Sequence, residues 1–293
     1  MSATASPLRY PGGKSCLLPL VSELLRLNNL ELTHYAEPYA GGCGLALSLL
    51  YNGHVSDIHI NDVDASIWSF WHSVLHHTEE LCYRIEKTPI TVEEWRQQRA
   101  IHLAQDDNNP LALGFSAFFL NRTNRSGIIK AAGVIGGLDQ TGTYKMDCRF
   151  NRDDLVRRIK RVAKYKSRIH LYRRDALAFI SDMRLHKLDD LFFCIDPPYF
   201  SKGSSLYTSF YNPSDHAVLA DAVLQLEQPW IVTYDNAPEV SRLYRDRRQF
   251  EFDINYSIET KRVGTELLVA SKRLKLPEKV RERQVNRPQY RAA

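Results

Sequence analysis

The chain has 293 residues, 44% hydrophobic and 25% charged, the balance of a globular protein with one large domain or two smaller ones. No apolar run approaches the ~18 to 20 residues of a membrane-spanning helix, and Met1 to Arg9 form no apolar signal-peptide core, which predicts a cytoplasmic protein. The net charge of +5 is unevenly spread: Arg149 to Arg174 carry eleven Lys/Arg against Asp153 and Asp154, and Lys272 to Arg291 carry eight against Glu278 and Glu282, leaving the remainder acidic. Positive charge gathered this way suits a polyanion-binding face, although a solvated helix face and a basic tail would give the same count.

The five cysteines are scattered without a Cys-x-x-Cys, so neither a disulfide framework nor a zinc knuckle is indicated. His72 and His76 stand four apart on a predicted helix, with no third ligand nearby to complete a metal site. No metal is expected.

In chain order, Tyr10-Pro11-Gly12-Gly13-Lys14 is a glycine turn opening an apolar-periodic helix to Leu27. A cation in a first helical turn opposes the helix dipole, so Lys14 is expected to face something other than the helix end. The G-x-x-x-x-G-K spacing of a phosphate loop is absent. Thr33 to Gly44, containing Glu37-Pro38-Tyr39-Ala40-Gly41, reads as a strand and glycine-rich turn leading into a helix from Leu45 to Tyr51, the first βα unit of a nucleotide-binding sheet. Val55 to Ile60 is a second strand ending at Asp62, some twenty residues past the turn, where a ribose-hydroxyl ligand belongs. Asp64 is expected to cap the next helix, and Thr91 another.

From about Ser66 to Lys164 the pattern is helical and irregular. An apolar helix from Leu111 to Leu120 ends in Asn121-Arg122-Thr123-Asn124-Arg125, and a glycine-rich stretch from Lys130 to Tyr144 reads as a surface loop or hairpin. Asp153 to Tyr165 is amphipathic, with Leu155, Ile159 and Val162 on one side and Arg157, Arg158, Lys160, Arg161 and Lys164 on the rest. Asn121, Arg122, Asn124, Arg125, Arg157, Arg158 and Arg161 are the candidate nucleic-acid-binding residues, suited to phosphates and base edges. The α/β pattern resumes with a strand from Ser167 to Arg173, and Asp175 at its end is a further candidate cofactor residue.

Leu191 to Ile195 is a continuous apolar strand that must stop at Asp196-Pro197-Pro198-Tyr199, because two prolines lack donors and lock φ. A carboxylate, the Pro197 carbonyl and the Tyr199 ring then sit at a strand's carboxyl end, fit to grip a heterocycle bearing an exocyclic amine. A proline-rich strand exit capped by an acid would look the same. Phe200 to Asn212 reads as a lid, Pro213 to Leu226 as a helix, Trp230 to Asn236 as a strand and turn, and Phe250 to Ile258 with Glu266 to Ser271 as an antiparallel pair joined around Gly264.

These segments, in this order, resemble the Dam-type (D12 class) DNA adenine-N6 methyltransferases: Tyr10-Pro11-Gly12-Gly13-Lys14, Glu37-Pro38-Tyr39-Ala40-Gly41, Asp62 and Asp196 to Tyr199, with Asn121-Arg122-Thr123 and Thr233-Tyr234-Asp235-Asn236 also similar. Cys43 departs from the family's second glycine, and the stretch after Asn121 differs from the segment of GATC-reading members. The resemblance implies an α/β, Rossmann-like, S-adenosylmethionine-dependent methyltransferase sheet, mostly parallel with an antiparallel C-terminal pair, plus an inserted helical DNA-recognition region. Residues 1–65 and 166–274 would form the catalytic domain, 66–165 the insert and 275–293 a basic tail.

By the same resemblance S-adenosylmethionine lies across Tyr10, Lys14, the turn with Glu37, Pro38, Tyr39 and Gly41, and Asp62, near Asp196. Asp196, Pro197 and Tyr199 would receive a flipped adenine from double-stranded DNA, Tyr199 by stacking. A cognate restriction endonuclease is a candidate partner. Transfer to cytosine N4 or an RNA base, and an inactive DNA-binding relative, remain alternatives. Cytosine-C5 chemistry needs a nucleophilic Cys after a proline, whereas Cys194 precedes the prolines on a buried strand.

Overall fold

The computed structural model describes residues 5–9, 13–130, 132–185, 190–200, 211–256 and 262–286. Tyr10 and most of the expected lid, 201–210, lie outside the described residues. Seven strands make one sheet: β1 (Thr33–Glu37), β2 (Val55–Asn61), β3 (Ile169–Tyr172), β4 (Leu191–Ile195), β5 (Trp230–Asp235), β6 (Arg248–Tyr256) and β7 (Arg262–Ala270). Their spatial order is β3-β2-β1-β4-β5-β7-β6. The first five run parallel, and β7 pairs antiparallel with both β5 and β6. The order reverses between β1 and β4, which opens a crevice at the carboxyl ends of those strands.

Strand periodicity sends alternate residues to two apolar clusters. Tyr35, Phe192, Ile231 and Leu268 face one cluster, with α1 (Leu18–Leu27), α2 (Gly44–Tyr51), α3 (Ala65–His76), α4 (Thr78–Lys87), α5 (Val92–Ala104), α6 (Pro110–Thr123) and α7 (Arg152–Ala163). Ala36, Phe193, Val232 and Leu267 face the other, with α8 (Ala176–Leu185), α9 (Pro213–Leu224) and α10 (Pro238–Leu243). The expected caps are present: Asp64 accepts from the Ser66 and Ile67 amides, and Thr91 from Glu94. Asn212 and Asp215 form a reciprocal capping box on α9.

The helix α6 continues three residues past the expected end at Leu120. Thr123 Oγ donates back to the Phe119 carbonyl at 2.8 Å, and the whole last turn is buried. Its close approach to α3 needs Gly114, where an added Cβ would fall 2.4 Å from the Ser69 carbonyl oxygen. Two further expectations need correction. Gly264 lies inside β7, paired with Ile254, and not at the hairpin tip. Within the segment expected as a basic tail, residues 283–286 lie along the outer edge of β6, with the Glu251 amide donating to Arg283 O and the Val285 amide to Gln249 O. That edge strand exposes backbone groups the segment can satisfy, which its charge alone does not reveal. No helix among the described residues is long and apolar enough to cross a membrane.

Candidate active site

Each parallel strand ends on or just before an acid: Glu37 closes β1, Asp62 follows β2, Asp175 follows β3, Asp196 follows β4 and Asp235 closes β5. Because the strands are parallel, five acids far apart in sequence share one rim of the sheet. A cavity of about 270 Å³ opens there, lined by Lys14, Glu37 to Leu45, Asp62, Asp175 and Asp196 among others.

The glycine turn after β1 is stiffened from three sides. The Gly41 amide donates to Asp62 Oδ2 at 2.9 Å, the Asp64 amide to Asp62 Oδ1 at 3.0 Å, and the Trp71 indole to the Gly41 carbonyl at 2.9 Å. Asn61 ties the loops together, donating to the Pro38 and Arg174 carbonyls and accepting from the Arg174 amide. Gly41 has φ +45° and Cys43 φ +54°. Cys43 thus holds a left-handed position that costs an L-residue about 1 kcal/mol and that glycine would occupy freely. The family's glycine is replaced without loss of the turn.

Glu37 is buried beneath this turn, accepting from the Tyr35 hydroxyl at 2.8 Å and from the Ala46 amide in the first turn of α2. Burial, opposed by those hydrogen bonds and reinforced by Asp196, pushes its carboxyl up to about 8. Burial and the neighbouring Asp64 push Asp62 up to about 7. Two acids raised this far by burial, side by side in one cavity, mark it as a functional site.

At the second pole, Lys14 begins the 3-10 turn Lys14–Leu17 and is 6% exposed. Its ammonium faces away from the helix end, as expected, lying 2.9 Å from Asp196 Oδ1 and 3.3 Å from Glu266 Oε2. Thr233 Oγ donates to the same Asp196 Oδ1 at 2.7 Å. Both contacts fall on Oδ1, and Asp196, 24% exposed at its side chain, lines the cavity. The Tyr199 hydroxyl donates to Glu266 Oε1, and its ring lies 5.3 Å from the Lys14 ammonium. Cys194 is buried and burial raises its thiol well out of the nucleophilic range.

The sequence-selected residues separate into three groups. Lys14, Glu37, Pro38, Tyr39, Gly41, Asp62, Asp175 and Asp196 all line the cavity. Tyr39 hydrogen-bonds Tyr211 at 2.9 Å, and Asp175 caps α8 through the Leu177 and Ala178 amides. Pro197 and Tyr199 are buried beside it, and the Tyr199 hydroxyl and ring both contact the ion network of Lys14 and Glu266.

The expected DNA-binding residues are dispersed. Asn121 is fully buried, accepting from the Arg9 amide at 2.8 Å and donating to the Arg9 and Gly127 carbonyls. Asn124 accepts from the Trp95 indole at 2.7 Å and donates to the Ile128 and Ile129 carbonyls. Arg122 is buried on the Pro7 carbonyl, with its guanidinium pushed down to about 9 by burial and by Arg158 and Arg9. Arg158 donates to the Ser6 carbonyl and pairs with Asp154. These residues anchor the segment leading to Lys14, a correction with a plain cause: they face the core and not the solvent. Arg161 lies 4.0 Å over Tyr51, the last residue of α2, at the end of the sheet opposite the cavity. Arg157 is exposed and paired with Asp154, and Arg125 is exposed just past the end of α6.

Sequence reasoning missed Glu266, Thr233, Asn61 and Arg174. Glu266 had a legible signal, a lone acid before the apolar Leu267-Leu268-Val269. The others are ordinary polar residues whose partners are 23 to 113 positions away or lie across neighbouring strands. Comparison with curated proteins returns no match. The family model of the D12 class N6 adenine-specific DNA methyltransferases matches residues 10–262, from the Gly-Gly-Lys turn through all five parallel strands, and the chain belongs to that family.

Proposed function

We propose that the chain transfers a methyl group from S-adenosylmethionine to the N6 amine of an adenine flipped out of double-stranded DNA. The observation that carries this is the placement of Asp196: its Oδ1 is held by Lys14 and Thr233, and the residue lines a cavity at the sheet's switch point. The acids lining that cavity fit a donor with a cationic amine and a sulfonium, since a cation there would offset the burial that raises Glu37 and Asp62. Asp62, at the end of β2, would take the ribose hydroxyls, and Glu37 with the glycine turn would meet the amino-acid end. Bound there, S-adenosylmethionine supplies a methyl group already activated by the sulfonium.

The chain's own task is to position and polarise the amine. Adenine N6 is a poor nucleophile because its lone pair is delocalised into the ring. Asp196 Oδ2 and the Pro197 carbonyl accept its two N–H bonds, favour a pyramidal nitrogen and stabilise the charge developing on it. Tyr199 braces this clamp from behind through Lys14 and Glu266. Reaching such a pocket requires the base to leave the duplex. Arg125, exposed at the α6 end, is the best-placed phosphate contact, followed by Arg157; residues 66–165 would read the target.

Incubating the protein with plasmid DNA and labelled S-adenosylmethionine, then mapping modified bases by sequencing, tests the assignment. N6-methyladenine at a defined sequence is expected. Asp196→Ala is expected to lose at least ~10³-fold in rate while keeping the fold, with a lowered melting temperature because the buried Lys14 loses one of its two carboxylates. Near-native activity in that variant sinks the assignment.

A further inference from the structure

Glu266 stands where an acid is costly. It is fully buried, followed on β7 by the buried Leu267, Leu268 and Val269, and lies directly across from Asp235 in the β5–β7 pair. Like charges opposite one another on adjacent strands are destabilising, and burying a carboxylate adds a desolvation cost. Its carboxylate reaches Lys14 at 3.3 Å and accepts from Tyr199, while the same Lys14 reaches Asp196 at 2.9 Å. Lys14 is therefore shared between two carboxylates, one lining the cavity and one sealed behind it. A lysine paired with Asp196 alone would quench the negative charge that the cavity presents; sharing it leaves that charge in place.

We propose that Glu266 is a positioning residue that acts through Lys14 to keep the methyl-transfer site negative, so that the site holds the sulfonium donor more tightly than its neutral thioether product. This rests on the S-adenosylmethionine reading above. The two ligands differ by one methyl group and one positive charge, so a site that holds an additional negative charge near the sulfur discriminates between them and releases the product. The effect depends on the charge that Glu266 adds and not on its packing.

Isothermal titration of the full chain with S-adenosylmethionine and with S-adenosylhomocysteine tests this. Glu266→Gln keeps the size and a hydrogen-bonding group but removes the charge. It is expected to lower the affinity ratio of donor to product about tenfold, as one charge removed at short range in a protein interior requires. Glu266→Asp keeps the charge and is expected to hold the ratio within about threefold of the native chain even where both affinities fall. A merely structural role would weaken both ligands equally in Glu266→Gln, and that result, or no change, overturns the proposal. Should Glu266→Gln fail to fold, a tenfold fall of the ratio in Glu266→Asp overturns it instead. Native protein that binds neither ligand overturns the donor reading and this proposal together.

Discussion

At the carboxyl rim of the sheet, Glu37, Asp62, Asp175 and Asp196 come from four strands and all line one cavity. At the end of α6, Asn121, Arg122 and Asn124 come from four consecutive positions and reach no common ligand; each is buried and hydrogen-bonded to another part of the chain. Both sets are polar residues beside motif-like sequence, and sequence alone marks both as site candidates. The difference lies in what surrounds them. A parallel sheet leaves its strand ends uncovered, so side chains there meet a crevice. The last turn of α6 is closed over by the segment 5–9 and the Trp95 helix, so the same chemistry goes to satisfying backbone groups that would otherwise be buried without partners.

Four variants test that contrast. The largest effect is expected from Asn121→Ala, which leaves the Arg9 amide and carbonyl and the Gly127 carbonyl without their partner; a loss of about 3 kcal/mol in chemical denaturation is expected. If Asn121 instead serves DNA directly, stability will hold and only DNA affinity will fall.

Next comes Glu37→Gln. The folded Glu37 carboxyl, near 8, keeps its proton at pH values where the unfolded group, near 4.5, has lost it. The native state therefore binds more protons, and its stability falls as pH rises from about 4.5 to 8. A neutral glutamine escapes that loss. The stability difference between variant and native protein is expected to move in the variant's favour by about 3 kcal/mol between pH 5 and pH 8. Donor binding should weaken at the same time. Equal pH profiles of stability for the two proteins would show that Glu37 is ionised in the unliganded fold.

The smallest effect on stability, within about 0.5 kcal/mol, is expected for Arg125→Glu, an exposed residue. Its DNA affinity should nevertheless drop, with a salt slope shallower by about one unit. Arg161→Glu, at the opposite end of the sheet, should leave DNA binding unchanged. A matching loss in both would place the DNA along α7 and not across the cavity.

Much of the fold was legible because its signals are local. Proline and glycine end strands, Asp64 and Thr91 cap helices, and alternation of apolar residues marks the β strands; each acts through atoms a few positions away. The site was legible where a short motif sits on a strand end, as at Asp62 and Asp196, since the parallel sheet then gathers the motifs. It was not legible at Glu266, Thr233 and Asn61, whose roles depend on partners brought in by strand order, nor at Asn121 and Arg122, whose burial depends on what lies over α6.

The amino-acid sequence by itself determined that this is an α/β chain with a glycine turn, an acid after the second strand and a clamp-like Asp-Pro-Pro-Tyr exit, because strand, turn and cap preferences are short-range. Only the tertiary structure decided that Lys14 is shared between Asp196 and Glu266, that Thr233 joins Lys14 on one Asp196 oxygen, and that most of the chosen arginines and asparagines serve the fold. The reason is physical: a charge takes its role from the partners and the solvent around it, and those are set by packing between segments far apart in the chain.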